Sequence, residues 1–330
     1  MEQKGIDEKI GNLFCAALAG DALATPEVVV VRSAPAVATC KRLARRRGAG
    51  AAMILPLLLL AGLSHPLASR AHPGIHEQEA AADKALEQSP EDPVNYIVRG
   101  KLHYEVGNWD AALEAFHQAR SKGAAVETIA PLQGNTYLAA GWPRAAKRRF
   151  DEALQSSPTL PRARIGRART WMMLGKPAEA EADFAVAFET LDRVRPALIL
   201  ERRSALLAAG RPAAAIALLD ARIASMGLIP SLEIAAVDID VETRHFDRAL
   251  KRIEALLEQS PHHPLWATRR AEILQQAGRE EEARAAYRAT LTFVHARNAR
   301  GSSRRLVELE KQLRAALAAQ PAAPTRQGEP

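Results

Sequence analysis

Catalysis needs a nucleophile, a base or a metal held at fixed spacing, and the sequence comes nearest to such a pattern at His76-Glu77. On a helix, a His-Glu pair with a second histidine four residues after the first holds zinc and activates water. Here the second place is Ala80. Gly100-Lys101 and Gly175-Lys176 contain the Gly-Lys step of a phosphate-cradling loop, but both lack its opening glycine. No CxxC pair and no serine in a strand-to-helix elbow occurs. Nucleophile, base and orienting group are nowhere brought together, so the expectation is a protein that is not an enzyme and uses no cofactor.

The front of the chain reads as a secretory signal over 41–71. Lys41, Arg42, Arg45, Arg46 and Arg47 form a positive start, and residues 48–63 follow as an apolar run without a charge, interrupted by Pro56. The run is shorter than the roughly 20 residues that cross a bilayer, and Ser69 and Ala71 supply the small residues for cleavage after Ala71. The expected location is the periplasm. If the segment is not cleaved, residues 48–68 anchor the chain in the inner membrane with the remainder outside. Residues 1–40 precede the signal and are expected to be a leader or the product of a start codon placed too early. An exported chain beginning at His72 would have a free amine beside an imidazole, with His76 about one helical turn on, donors that suit copper or nickel. Four ligands cannot be assembled from this spacing, so no metal site is assigned, and His72 and His76 stand as the only candidates.

The charge follows the same division. The chain has 330 residues with 45 Lys and Arg against 38 Asp and Glu, a net of +7. Residues 1–72 contain nine of those bases and five of the acids, which leaves 36 against 33 and a net of +3 for the rest. Nucleic-acid binding needs a concentrated positive surface, so it is the weaker expectation here. Both cysteines, Cys15 and Cys40, also lie upstream, so the exported part cannot use disulfides. With 48% apolar but only 5% aromatic residues, helix is favoured over a β-sandwich.

What remains must position any binding side chains, and it repeats. Gly107, Gly141 and Gly175 are 34 residues apart, as are Ala112, Ala146 and Ala180, then Phe116, Phe150 and Phe184, then Ala119, Ala153 and Ala187. After a one-residue insertion the register resumes at Gly210, Ala215 and Leu219, continues at Ala249 and Ile253, and returns at Gly278, Ala283 and Tyr287. A fixed period of this length signals a solenoid. The glycine closes one helix in the left-handed conformation, and proline two residues later, as in Gly141-Trp142-Pro143, opens the next. So short a connection makes the two helices antiparallel.

These columns resemble the tetratricopeptide repeat. Gly100, Gly134, Tyr137 and Trp171 match the small and large positions of its first helix, and Ala112, Phe116 and Ala119 with their counterparts match its second. The resemblance implies an all-α, right-handed superhelical solenoid over residues 74–301. It would hold a half repeat (75–88) and six repeats beginning near Pro93, Glu127, Pro161, Pro196, Pro230 and Pro264. A capping helix over 302–319 carries Leu306, Leu309, Leu313 and Leu317 on one stripe, and 320–330 reads as a disordered tail. Some positions depart from the pattern. Arg203 and Val237 replace small residues, Arg244 replaces the turn glycine, and Arg99 and Arg167 stand at apolar positions, where their stems would lie along the core and their charges reach water.

In this family the first helices line a concave groove that contacts partner segments. The resemblance places Lys101, Tyr104, Asn135, Leu138, Arg162, Arg169, Met172 and Met173 on that face in the first three repeats. Asp238, Glu242, Glu272 and Gln275 follow in the fifth and sixth. The groove is expected to be basic at one end and acidic at the other, and to bind an extended or helical protein segment of opposite polarity. Trp109, Trp142 and Trp171 read as core or turn packing, and Arg144, Lys147, Arg148 and Arg149 as a solvated outer face. The function expected is an exported, non-catalytic scaffold for a protein partner. The alternatives are a nucleic-acid-binding helical repeat and metal handling through the N-terminal histidine.

Overall fold

The computed structural model describes residues 74–301 and 303–319. The leader, the signal segment, His72 and the tail 320–330 lie outside the described residues. Among the described residues there are fourteen helices and no strand. A lone helix, α1 (Ile75–Gln88), precedes six hairpins. These are α2 (Pro93–Glu105) with α3 (Trp109–Ser121), α4 (Val126–Ala139) with α5 (Pro143–Ser156), and α6 (Pro161–Met173) with α7 (Pro177–Thr190). Then come α8 (Pro196–Ala208) with α9 (Pro212–Met226), α10 (Pro230–Glu242) with α11 (Phe246–Gln259), and α12 (Pro264–Gln276) with α13 (Glu280–Arg300). A last helix, α14 (Arg304–Ala318), packs on α13. None of these helices is long and apolar enough to cross a membrane.

The turn inside each hairpin is the same device six times. The residue after the glycine donates its backbone N–H five residues back, from Asn108 to His103 (2.8 Å), Trp142 to Tyr137 (2.8 Å) and Lys176 to Trp171 (2.9 Å). Arg211 to Leu206, His245 to Asp240 and Arg279 to Leu274 repeat it. This closure needs a left-handed residue between the helices, and Gly107, Gly141, Gly175, Gly210 and Gly278 take φ of 71–79° there. In the fifth hairpin Arg244 takes the same conformation, φ 62°, and is the only described non-glycine residue at positive φ. The register therefore prevails over the residue type, and the cost is about 1–2 kcal/mol of Cβ crowding.

Packing between hairpins is set by a ring against a missing side chain. Phe116, Phe150 and Phe184 are each at most 1% exposed, and burial of one such ring contributes about 1.5–3 kcal/mol. Phe116 lies against Gly100, where an added Cβ would come within 2.5 Å of the ring. Phe150 lies between Gly134 of its own hairpin and Gly166 of the next, with corresponding distances of 2.7 and 2.2 Å. One ring thus joins three helices, α5 with α4 and α6. Each helix packs on its neighbours in the chain, and first helices also touch across repeats, α4 with α6 and α8 with α10.

Charge inside the solenoid differs from expectation at Arg167. Its guanidinium, half-buried, is held by two aspartates and is not simply solvated: Nε and one terminal nitrogen donate to Asp183 (2.7 and 2.8 Å), and the other donates to Asp151 (2.8 Å). Arg164 adds a third bond to Asp183 at 2.7 Å, and Lys147 pairs with Asp151 at 2.6 Å. Asp183 is 3% exposed, so a solvated arrangement was not open to it. Its hydrogen bonds raise the Arg167 pKa above the usual guanidinium value. Burial works against the Asp151 carboxylate, but its bonds to Lys147 and Arg167 lower its pKa all the same. The fifth repeat contains the same device with the signs exchanged. Asp240 is fully buried where Tyr137 and Trp171 stand in earlier repeats, and it accepts from Arg248 and Arg252. Arg252 also bonds Glu233 and Asp220, which ties α9, α10 and α11 together. Arg99, in contrast, keeps a solvated position about 4.0 Å from Asp83.

The C-terminal helix α14 is held by Leu309 and Leu313, both buried, and by Glu310. Hydrogen bonds from Asn298, Arg314 and His295 to Glu310 lower its pKa to about 2. The Ser303 hydroxyl accepts the Leu306 N–H at 3.3 Å and opens the helix.

Two substitutions of opposite sign check this account of the turns and the rings. Gly166→Ala forces a methyl into the Phe150 ring and is expected to lower stability by about 1–3 kcal/mol. Arg244→Gly relieves the left-handed strain and is expected to raise it by about 1 kcal/mol. Urea unfolding followed by circular dichroism measures both, and equal effects at the two sites would contradict the account.

Candidate functional site: the face of the first helices

The first helix of each repeat buries its small and branched residues and leaves one strip uncovered. On α2, Gly100 and Leu102 are buried while Tyr104 is 37% exposed. On α6, Ala163, Gly166, Ala168 and Thr170 are buried, Met172 is half-buried and Met173 is 54% exposed. Lys101, Asn135 and Leu138 are half-buried on α2 and α4. The period of 3.6 residues puts these on a strip, and the ring packing behind them holds that strip in place.

The two arginines expected to greet a partner are both engaged within the protein. Pro131 lies inside α4 and has no N–H, so the Glu127 carbonyl four residues earlier loses its helical donor. Arg162 of the next repeat donates to that carbonyl at 2.6 Å. Arg169 forms a forked pair with Glu201 on α8, with bonds of 2.7 and 2.9 Å, and this pairing raises its pKa above the usual value. Arg169, Met172, Phe184, Glu201 and Ser204 line a cleft of about 230 Å³ between α6 and α8. At the other end Asp238 pairs with Arg269 at 2.8 Å, and Glu272 reaches the same guanidinium at 3.2 Å. Gln275 accepts from the Tyr287 hydroxyl at 3.0 Å, while Glu242 is exposed.

Of the charges expected to give the face a basic and an acidic end, Glu242 is exposed, while Arg169 is matched by Glu201, and Asp238 and Glu272 by Arg269, two residues outside the expected set. A signal for both was present, because each ion pair links residues 32 or 31 apart, slightly less than one period. What the strip offers outward is mainly Tyr104, Met172 and Met173, with Asn135 able to donate and accept. Among the described residues no group of three or more histidines, cysteines or carboxylates is placed to hold a metal ion. His76 is exposed, 3.4 Å from Glu79, and His72 lies outside the described residues.

Antiparallel hairpins closed by one turn and stacked in chain order define a helical repeat protein. The family described as Tetratricopeptide repeat matches residues 132–190 and 234–302, and those two segments are tetratricopeptide repeats. The C-terminal part of a TPR repeat-containing protein from Cytophaga hutchinsonii superposes with a TM-score of 0.56 at 13% identity, covering 72% of this chain and 94% of that one. PilW, a widely conserved type IV pilus biogenesis factor, gives 0.50 at 18% identity over 58% of this chain and 88% of its own. A tetratricopeptide repeat protein from Parabacteroides merdae ATCC 43184 gives 0.46 at 19% identity over 73% and 93%. At these identities the likeness is one of fold. No curated protein matches the sequence.

The role of Arg162 is tested by a double-mutant cycle. Pro131→Ala restores the missing donor to the Glu127 carbonyl, so Arg162→Ala is expected to cost less in that background, with a coupling of about 1 kcal/mol in urea unfolding. An identical cost in both backgrounds would separate the two residues.

Proposed function

We propose that this chain is a non-catalytic scaffold, exported to the periplasm, that holds a protein segment in the concave face of its first helices. The observation that carries the reading is the strip formed by Tyr104, Met172 and Met173, with Tyr104 and Met173 left exposed as large hydrophobic side chains. Tyrosine and methionine supply contact area at low ordering cost and adapt to an apolar side chain. The cleft beside Met172 is of a size for one such side chain. Arg169 and Glu201 at its rim exchange partners with a segment's own polar groups, which sets direction more than affinity. Nucleic acid fits less well, since phosphate would have to displace Glu201 from Arg169. Export is supported by the basic cluster at Lys41–Arg47 ahead of the apolar run 48–63.

A photo-crosslinking residue at position 172 is expected to capture a discrete protein in cells, whereas one at position 117, on the exposed side of α3, is not. Tyr104→Ala with Met173→Asp should reduce the captured band at least tenfold, equivalent to about 1.4 kcal/mol or more. The same bands from both positions would remove the strip from the function. N-terminal sequencing of the mature protein should begin at His72, and an intact Met1 would overturn cleaved export.

A further inference from the structure

At the turn of the second repeat the surface departs from every other hairpin. The residue after the left-handed position is Asn108, Lys176, Arg211, His245 or Arg279 elsewhere, and Trp142 here, 53% exposed. Its ring is tilted against Tyr137 with centroids 6.0 Å apart, which holds the indole over the hairpin end. Trp142, Pro143, Ala145 and Leu174 line a shallow depression of about 510 Å³ whose exposed lining is almost entirely apolar, with Arg144 and Arg148 at its rim.

Those two arginines behave differently from the cations beside them. Lys147 pairs with Asp151, and Arg149 with Glu152. Arg144 and Arg148, one turn apart on the exposed side of α5, have no carboxylate, carbonyl or ring partner among the described residues. The lining contains no acid. A pair of guanidinium groups without a partner among the described residues, beside an exposed indole and a half-buried leucine, is a surface with its complement missing. A solvated outer face would account for the arginines alone, but it leaves the indole uncovered beside half-buried apolar neighbours.

We propose that this hairpin end is a second docking surface, separate from the face of the first helices, for an acidic protein segment with an apolar anchor residue. The anchor lies against Trp142 and Leu174, and carboxylates on either side pair with Arg144 and Arg148 in the bidentate geometry that guanidinium favours. An aromatic residue with arginines at its edge is the composition that concentrates binding energy at protein interfaces. Single-stranded nucleic acid would also stack on the indole, but two free cations neutralise few phosphates, whereas they match two carboxylates of a short segment.

The test uses the purified chain and a fluorescein-labelled Asp-Asp-Leu-Leu-Asp-Asp peptide, read by fluorescence anisotropy at low salt. Binding is expected to weaken about tenfold or more with Trp142→Ala and with Arg144→Glu plus Arg148→Glu, and when serine replaces the peptide's leucines. His117→Ala, on the exposed side of α3, should leave it unchanged. Circular dichroism melts of the variants check that the fold is retained, which is expected because all three side chains are exposed. No binding by the parent chain, or binding indifferent to the Trp142 and arginine variants, would overturn the proposal. So would preferential binding of a single-stranded RNA oligonucleotide with the same sensitivity to those variants.

Discussion

The distance between consecutive helices is set by an aromatic ring seated where a neighbouring helix has no side chain. Phe150 fills the space that Cβ atoms on Gly134 and Gly166 would need, so α4, α5 and α6 approach as one unit. Close packing of this kind has few solutions. Once the ring column and the turn are given, the direction of every first helix follows, and so does the strip it presents. The fifth repeat shows how strong the constraint is, since Arg244 takes a left-handed conformation that favours glycine rather than let the turn change.

Electrostatics is used here mostly for internal agreement between repeats. Arg167 with Asp151 and Asp183, and Arg252 with Asp220, Glu233 and Asp240, each link three successive helices through side chains that are largely out of water. Replacing such a network with apolar residues need not lower stability, but removing one partner from it costs about 3–5 kcal/mol. The networks therefore discriminate between registers more than they stabilise the right one. On the face of the first helices, Arg169 with Glu201 and Asp238 with Arg269 do the same at partial exposure. A partner meeting this face finds charges already matched, and its affinity rests on tyrosine, methionine and the cleft between α6 and α8.

Set against that frugality, the exposed residues that satisfy nothing stand out. Trp142 with Arg144 and Arg148 gathers an exposed ring and two cations unpaired among the described residues at one hairpin end. A chain that pairs most of its buried and half-buried cations, and leaves these two open beside an indole, carries its second asymmetry on the outside. One solenoid can then present two unlike surfaces, a largely neutral apolar strip and a basic aromatic edge, without any change in the repeat that supports them.

The sequence by itself determined the repeat. Gly107, Gly141 and Gly175, the phenylalanine and alanine columns and the prolines Pro143, Pro177 and Pro212 after three of the turns specify helix ends, hairpins and stacking, because these depend on neighbours close in the chain or one period away. It also offered a set of first-helix residues as a binding face, and that set enters the proposed function. What only the tertiary structure decided is which of those side chains are already occupied. Arg162 turns to a carbonyl that Pro131 orphaned, Arg169 finds Glu201, and Arg167 bridges two aspartates. Each of those choices depends on how far one helix is shifted along the next. That shift is set by side-chain packing across the interface and is not written in the spacing along the chain.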